Sequence, residues 1–325
     1  MNLRFMKVTA FTALLCISPL AQADLTVYSQ DFEGLVMDDP DALSNEGWKI
    51  FGNVFDSGGN YLFGYGVFGA PNGGSGFSAI ATGEGGASQG AQQLSIYSDY
   101  NCCQPSNGHF NGTDLVESNV FQEQVIGPAD VGSTWEFSFE AKRGNIEGTT
   151  TAIAFIKTLD PNAGFAVTRF ETIDMTNVTL SWTGGVIPLE ITADIEGHIL
   201  QIGFSSTASN FQGSGVFYDN LLFAPQGFVD SDGDGVGDDV DNCTNVANPG
   251  QLDTNGDGYG NICDADLNND CSVNFVDLTI MKGAFFSTNP DANLDGVGLV
   301  NFADLTIMKS QFFGSPGPSE VGNCP

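Results

Sequence analysis

Two segments of this chain, DLNNDCSVNFVDLTIMKGAFF from Asp266 and NLDGVGLVNFADLTIMKSQFF from Asn293, set carboxylates and amides at alternate positions and repeat one another at an offset of 27 residues. A hard divalent cation is held by oxygen ligands at positions 1, 3, 5, 7, 9 and 12 of such a loop, with glycine at position 6 for a sharp turn. The first segment supplies Asp266, Asn268, Asp270, the Ser272 carbonyl, Asn274 and Asp277. The second supplies Asn293, Asp295, Asn301 and Asp304, with Val297 where an acidic ligand is expected and Gly298 at the turn. The chemistry implied is calcium binding, tighter in the first loop than in the second. Cys271 takes the turn position of the first loop, where a side chain at positive φ costs about 1 kcal/mol. A helix is expected after each loop; in the first, Leu278, Met281 and Phe285 share one face.

Upstream, DSDGDGVGDDVDNCTNVANPGQLDTNGDGYGNICD has almost no apolar residues and cannot make a packed core. It resembles thrombospondin type 3 repeats through Asp230, Asp232, Asp234, Asp238, Asp241, Asn242 and Cys243, then Asn248, Pro249, Gln251, Asp253, Asn255, Asp257 and Cys263. The resemblance implies that the Asp and Asn residues at 230, 232, 234, 238, 241, 253, 255 and 257, with Asp264, wrap calcium, and that cysteines clip successive units. Asn261 stands where that family usually has Asp. The duplicated tail resembles the paired loops of a type I dockerin, which also close on Asp. A dockerin-like domain implies a protein partner. Cohesin recognition by that family uses polar residues at loop positions 10 and 11, however, and here those positions hold Phe275, Val276, Phe302 and Ala303. These apolar residues are expected to pack the two halves together or against a neighbour.

The opening residues MNLRFMK, VTAFTALLCISPL and AQA have the basic, apolar and small-residue order of a signal peptide, so residues 1–23 are expected to be removed and the chain secreted. The apolar run is shorter than the roughly 20 residues that span a bilayer. Six of the seven cysteines lie beyond it: Cys102, Cys103, Cys243, Cys263, Cys271 and Cys324. An even number in an exported chain reads as disulfides, and none forms a CxxC pair suited to zinc. The pairing expected is Cys243 with Cys263, closing one repeat unit, and Cys271 with Cys324, spanning the duplicated tail. Adjacent Cys102 and Cys103 then form a vicinal disulfide or remain two buried thiols. The formal charge of −31 disfavours nucleic acid and anionic membranes. From Phe228 onward sixteen Asp and Glu face only Lys282 and Lys309, a net of −14, and such density calls for divalent cations within the fold.

Residues 24–227 change character, being rich in Gly, Ser, Thr and Phe. TWEFSFEAKR puts Trp135, Phe137 and Phe139 on one side and Glu136, Ser138 and Glu140 on the other, the pattern of a half-buried strand. TAIAFIKTL, GHILQIGFSS and GVFYDNLLF behave similarly, while FGAPNGGSGFSAIATGEGG reads as a long loop. The expected fold is mainly β: an antiparallel sandwich of jelly-roll kind over 24–227, thrombospondin-like repeats over 228–265 and a small helical dockerin-like domain over 266–325. SQDFEGL and VFYDNLLF resemble the first and last strands of xylan- and glucan-binding jelly rolls. That resemblance implies a structural calcium shared by Glu33 and Asp219, and sugar stacking on exposed rings, with Trp48, Tyr61, Tyr65, Tyr97 and Tyr100 as candidates. The function expected is non-catalytic binding of a polysaccharide, a cell-surface glycan or a matrix partner, with calcium as the cofactor. The alternatives are a polysaccharide-degrading enzyme, with Glu84, Asp99, Asp114, Glu117 and Glu123 as unpaired candidate carboxylates, and an adhesion protein.

Overall fold

The computed structural model describes residues 24–74, 77–98, 113–209, 212–322 and 324. Residues 1–23, Asp99, Tyr100, Cys102 and Cys103 lie outside the described residues. Among the described residues, twelve strands form two antiparallel sheets. In one, β10 (Thr183–Glu190), β7 (Thr134–Ile146), β12 (Ser214–Pro225), β5 (Gln92–Tyr97) and β4 (Ser78–Thr82) lie side by side, and β1 (Tyr28–Gln30) also pairs with β12. In the other the order is β3 (Tyr61–Gly69), β2 (Lys49–Phe55), β6 (Leu115–Val125), β11 (Ile199–Ser209), β8 (Thr151–Asp160) and β9 (Ala166–Asp174). Strand β4 arises inside the glycine-rich stretch that reads as a loop, because Ile80 is an inward position and the backbone of Ser78–Thr82 finds its partners on β5.

Alternation decides which side chains meet between the sheets. Trp135, Phe137, Phe139 and Ala141 of β7 are buried, whereas Glu136, Ser138 and Glu140 are half-buried on the other face. Phe204 of β11 stacks on Tyr218 of β12 with centroids 3.6 Å apart, and Phe137 and Phe139 both touch Phe204. Each fully buried ring contributes about 1.5–3 kcal/mol by leaving water. Gly203 permits the central strands to approach, since a Cβ there would lie 2.2 Å from the Val120 carbonyl oxygen. Between β12 and β7 the register shifts, with Asp219 opposite Glu140 and Leu222 opposite Ser138, and Asn220 takes φ 49°. A bulge of this kind re-aims the side chains beside it.

Beyond Phe228 there is no comparable core. Two helices, Phe275–Ala284 and Phe302–Gln311, repeat the offset of the sequence duplication and share a cluster of eight buried side chains that includes Val273, Met281, Val300 and Met308. Met281 is buried, while Leu278 and Phe285 pack half-buried against that cluster. Asn274 and Asn301 cap these helices by accepting from Val276 N and Ala303 N, worth about 1 kcal/mol each. So small a core needs other supports. Disulfides join Cys243 to Cys263 and Cys271 to Cys324, with sequence separations of 20 and 53. In the chain-entropy account the longer closure contributes about 4 kcal/mol. No helix among the described residues is long and apolar enough to cross a membrane.

Phe204→Ala should destabilise the sandwich by about 3–5 kcal/mol, because the lost ring leaves a cavity among three others. Equilibrium urea unfolding of the variant beside the parent chain measures it.

Candidate functional site

Four loops share one backbone conformation. The residues at positions 4 and 6 have positive φ in each: Gly233 and Gly235, Gly256 and Gly258, Asn269 and Cys271, Gly296 and Gly298. In the first three, the leading carboxylate gathers the turn by accepting backbone N–H groups. Asp230 accepts from Gly233 and Gly235 at 2.7 and 2.8 Å, and Asp253 from Gly256 and Gly258 at 2.7 and 3.0 Å. Asp266 accepts from Asp270 and Cys271. The thrombospondin-like stretch and the duplicated tail are thus one series of loops starting at Asp230, Asp253, Asp266 and Asn293. In the sequence the two stretches resemble different families, although the alternate Asp and Asn spacing is common to both.

Each loop ends on an aspartate that the fold buries: Asp241, Asp264, Asp277 and Asp304 are all at most 5% exposed. Asp241 Oδ2 and Asp277 Oδ1 have no hydrogen-bond partner, nor has Asp232 Oδ2. Carboxylate oxygens of Asp230, Asp232 and Asp234 lie within 4.8 Å of one another. Burial and the neighbouring carboxylates at Asp234, Asp241 and Asp230 push the Asp232 carboxyl up, and burial with Asp257 and Asp266 pushes Asp264 up to about 7. Within that cluster Asp230 and Asp234 also accept backbone N–H groups and only Asp232 Oδ2 has no donor, and such converging oxygens are a donor set that could hold a hard cation. The carbonyls of Val236, Tyr259, Ser272 and Leu299 stand at position 7 of the four loops. Asp266 also lies near the sulfurs of Cys271 and Cys324, but a disulfide offers no thiolate.

At position 9 the side chain also braces the loop. Asp238 accepts from Ser231 N at 2.7 Å and Ser231 Oγ at 2.6 Å, so both its oxygens brace the loop. Asn261 does the same for Thr254 N and Oγ1, which explains how Asn serves where Asp is usual. The fourth loop departs further. Asp304 accepts from Asp295 N at 3.2 Å and Asn301 N at 2.8 Å, and Asp277 accepts from Asn274 N and interacts more loosely with the Asn268 backbone N–H. With Asn293 leading and Val297 at position 5, this loop offers fewer charged ligands, although Asn293 Oδ1 is buried without a partner. Phe275 packs edge-on against Phe312 and Phe302 against Phe285, each pair crossing between halves, yet Phe275 and Phe302 stay 66% and 68% exposed.

The sandwich carries a separate acidic cluster at the β12 bulge. Asp219 is fully buried, and its Oδ1 accepts from Asn220 N while Oδ2 has no partner. Burial, then Asn220's opposing hydrogen bond, then Asp31, Glu33 and Glu140 set its carboxyl at about 7. Glu33 accepts from Ala91 N and Gln92 N, and Glu140 from Asn220 Nδ2. Sequence reading named Glu33 and Asp219; Asp31 and Glu140 join them only through pairing of β1 and β7 with β12.

Among the described residues, the candidate rings Trp48, Tyr61, Tyr65 and Tyr97 do not form one surface. Trp48 is fully buried among Tyr28 and Phe32 and cannot stack on a sugar. Tyr65 packs half-buried against the core, over Gly52, and Tyr97 is held by Gly74 O and Ser78 O. Tyr61 is 59% exposed, and Tyr100 lies outside the described residues. The outer face of the β3–β9 sheet gathers a richer set. Its register aligns Lys49, Phe121, Gly203 and Phe155 in one row, and Glu123, Gln201 and Lys157 in the next. Lys49 and Gln201 Nε2 both donate to Glu123, and Asn53 and Asn119 both donate to Glu117. The Lys157 ammonium lies 4.9 Å from the Phe155 ring centroid and 6.0 Å from that of Phe121. Burial lowers the Lys157 pKa, and Glu117 and Glu123 oppose that shift. The alternation of Glu117, Asn119, Phe121 and Glu123 along β6 was the sequence signal for this face.

Residues 229–251 match the thrombospondin type 3 repeat, so the loop from Asp230 to Asp241 lies wholly inside that repeat. No curated protein matches the chain. Among solved structures it is similar to carbohydrate-binding modules from the β-sandwich superfamily, at 13% identity and TM-score 0.32, over 62% of this chain and 63% of that one. It is also similar to the C-terminal family 22 carbohydrate-binding module of a Clostridium thermocellum protein, at 15% identity and TM-score 0.31, over 62% and 95%. A third is the enzymatically active domain of tailspike protein 4 of bacteriophage CBA120, at 10% identity and TM-score 0.33, over 59% and 21%.

Two outcomes follow for calcium. Asp277→Ala should remove one calcium from the calorimetric stoichiometry, whereas Asp304→Ala should leave the stoichiometry unchanged and cost about 1 kcal/mol through the helix cap. The second concerns pH. A carboxyl raised to about 7 in the fold, as at Asp219 and Asp264, binds its proton before the unfolded chain does. Chelated protein should therefore gain stability as pH falls from about 7 towards 4, where unfolded carboxyls begin to protonate, and calcium should erase that gain. Thermal unfolding in chelator and in calcium across that window checks the sign.

Proposed function

We propose that this chain is a secreted, non-catalytic, calcium-stabilised binding protein whose sandwich holds a polysaccharide or cell-surface glycan. The modules are 24–227, 228–265 and 266–325, following a signal peptide over 1–23. Calcium is held by the loops led by Asp230, Asp253 and Asp266, and a structural calcium sits at Asp219 with Glu33, Asp31 and Glu140. The observation that carries the calcium reading is the set of buried carboxylate oxygens without donors, at Asp232, Asp241, Asp277 and Asp219; the Asp253 loop is included because it shares their spacing and backbone conformation. The thrombospondin type 3 match over 229–251 supports it independently.

The glycan is assigned to the outer face of the β3–β9 sheet in place of the loop rings. Rings supply contact area to the apolar faces of sugars, and amides and carboxylates select hydroxyl orientation. Phe51 and Phe170 beside Asn53, Glu117, Glu123 and Lys157 provide both. A glycosidase reading fits this face poorly. Glu117 and Glu123 lie on one strand six positions apart, roughly 20 Å at the usual rise per residue, against the ~5–10 Å that flank a scissile bond. The apolar Phe275 and Phe302 rings give the dockerin-like module a surface for a protein partner unlike cohesin.

Retention of the calcium-loaded protein on insoluble polysaccharides, with reducing ends assayed in the same tubes, tests the assignment. Retention without product is expected, and Glu117→Gln combined with Lys157→Met should weaken it while Tyr97→Ala does not. Release of new reducing ends from any polysaccharide would make the protein an enzyme, and loss of retention only on Tyr61→Ala would return the site to the loops.

A further inference from the structure

The sandwich holds five basic side chains over 24–227, and four of them are committed. Lys49 donates to Glu123, Lys142 to Glu84, Arg143 to the Ile146 carbonyl and Arg169 to Asp194. Lys157 is the exception: among the described residues its ammonium has neither a hydrogen bond nor an ion pair. Its contacts are with the Phe155 and Phe121 rings, which flank the bare backbone of Gly203 in the adjoining row of the outer face. Both rings are at most 1% exposed, and Lys157 itself is half-buried. The acids that act on it by charge are engaged elsewhere. Glu117 accepts from Asn53 and Asn119, and Glu123 from Lys49 and Gln201, so they favour the charged form of Lys157 without bonding to it. The ammonium is left with three N–H donors and no acceptor for them. Two further features share its row. Gln201, at 4% exposed, gives Nε2 to Glu123 and keeps Oε1 without a partner. Phe170, directly opposite Lys157 on β9, is 50% exposed.

We propose that this row is a subsite for a single uronic acid residue within an otherwise neutral polysaccharide, with the sugar carboxylate held by Lys157. The proposal rests on the glycan reading above and names the sugar that the face selects. Ring contacts return only part of the hydration that an ammonium loses on burial, and a carboxylate supplies the rest through a charge-assisted hydrogen bond. A neutral hydroxyl also accepts a hydrogen bond from Lys157 but brings no opposite charge to balance it. The sugar ring that carries the carboxylate offers an apolar face to Phe170, and one of its hydroxyls can donate to Gln201 Oε1. Charge also limits how many carboxylates are tolerated. The face has one uncommitted cation, whereas Glu117, Glu123 and a net charge of −31 repel any further anion. A chain with a carboxylate on every sugar is therefore disfavoured, and a neutral chain with occasional uronic acid is taken.

Retention of the calcium-loaded whole protein on polysaccharides that bear minor uronic acid, each beside its carboxyl-reduced form, tests the subsite. Reduction turns the carboxylate into a primary alcohol and leaves the sugar rings and linkages in place. It should weaken binding by the parent chain roughly ten- to a hundredfold, the ordinary worth of a hydrogen bond between charged groups. Lys157→Met should bind both forms alike at the lower affinity, and Lys157→Arg should keep the preference. The ratio is measured within one protein, so a loss of stability in a variant does not imitate the effect. Equal binding of the two forms by the parent chain overturns the proposal. A preference that survives Lys157→Met overturns it as well, and calcium bridging between the acidic tail and the uronate would give that result. Tighter binding of short oligogalacturonides, which carry a carboxylate on every sugar, overturns the assignment to a single uronic acid. Absence of binding to every polysaccharide, intact or reduced, removes the glycan reading itself, an outcome distinct from binding that ignores the carboxylate.

Discussion

A carboxylate oxygen buried without a donor opposite it carries a desolvation penalty that no apolar contact repays, and the outer half of this protein is organised around several of them. Asp241, Asp277 and Asp232 each retain such an oxygen, and the glycines and backbone N–H groups of the loops hold the partner carboxylates in place instead of neutralising them. Repulsion among these groups opposes folding, and either a proton or a bound cation would relieve it. The disulfides act on the same problem from the other side, by limiting how far an uncompensated chain can open.

The sandwich obeys a different rule. Its stability comes from the ring cluster of Phe137, Phe139, Phe204 and Tyr218 between two sheets, against which stand buried polar groups such as Asp219 at the β12 bulge and Lys157 on the opposite sheet. That opposite sheet carries charged and amide side chains bonded to one another, as Glu123 is to Lys49 and Gln201, while Gln201 Oε1 itself has no partner. A face assembled this way is pre-organised, since its polar groups need little rearrangement to meet a ligand.

The duplicated tail shows how two nearly identical segments reach different electrostatic states. Both Asp277 and Asp304 are fully buried and both cap a helix from its third position. Each also faces a backbone N–H at the third position of its loop, Asn268 for Asp277 and Asp295 for Asp304. The difference comes from the ligand set: replacement of the leading Asp by Asn293 and of the fifth-position ligand by Val297 removes charge from one loop. Aromatic pairs that cross between halves, Phe275 with Phe312 and Phe302 with Phe285, keep the two helices together whichever state the loops take.

Local spacing was enough to read much of this protein. The alternate Asp and Asn residues announce a loop because each ligand is a fixed number of residues from the next, and the offset of Asp266 and Asn293 announces a duplication. The alternation of Trp135, Phe137 and Phe139 announces a half-buried strand for the same reason: neighbouring positions along one strand are determined by the chain itself. Tertiary structure alone decided what meets across strands. It buried Trp48 in the core and placed a strand at Ser78–Thr82 where glycines read as a loop. It also brought Asp31 and Glu140 to Asp219, and set Lys157, Gln201 and Glu123 in one row. These juxtapositions depend on register between segments distant in the chain, and a one-residue slip in that register would turn every such side chain to the other face.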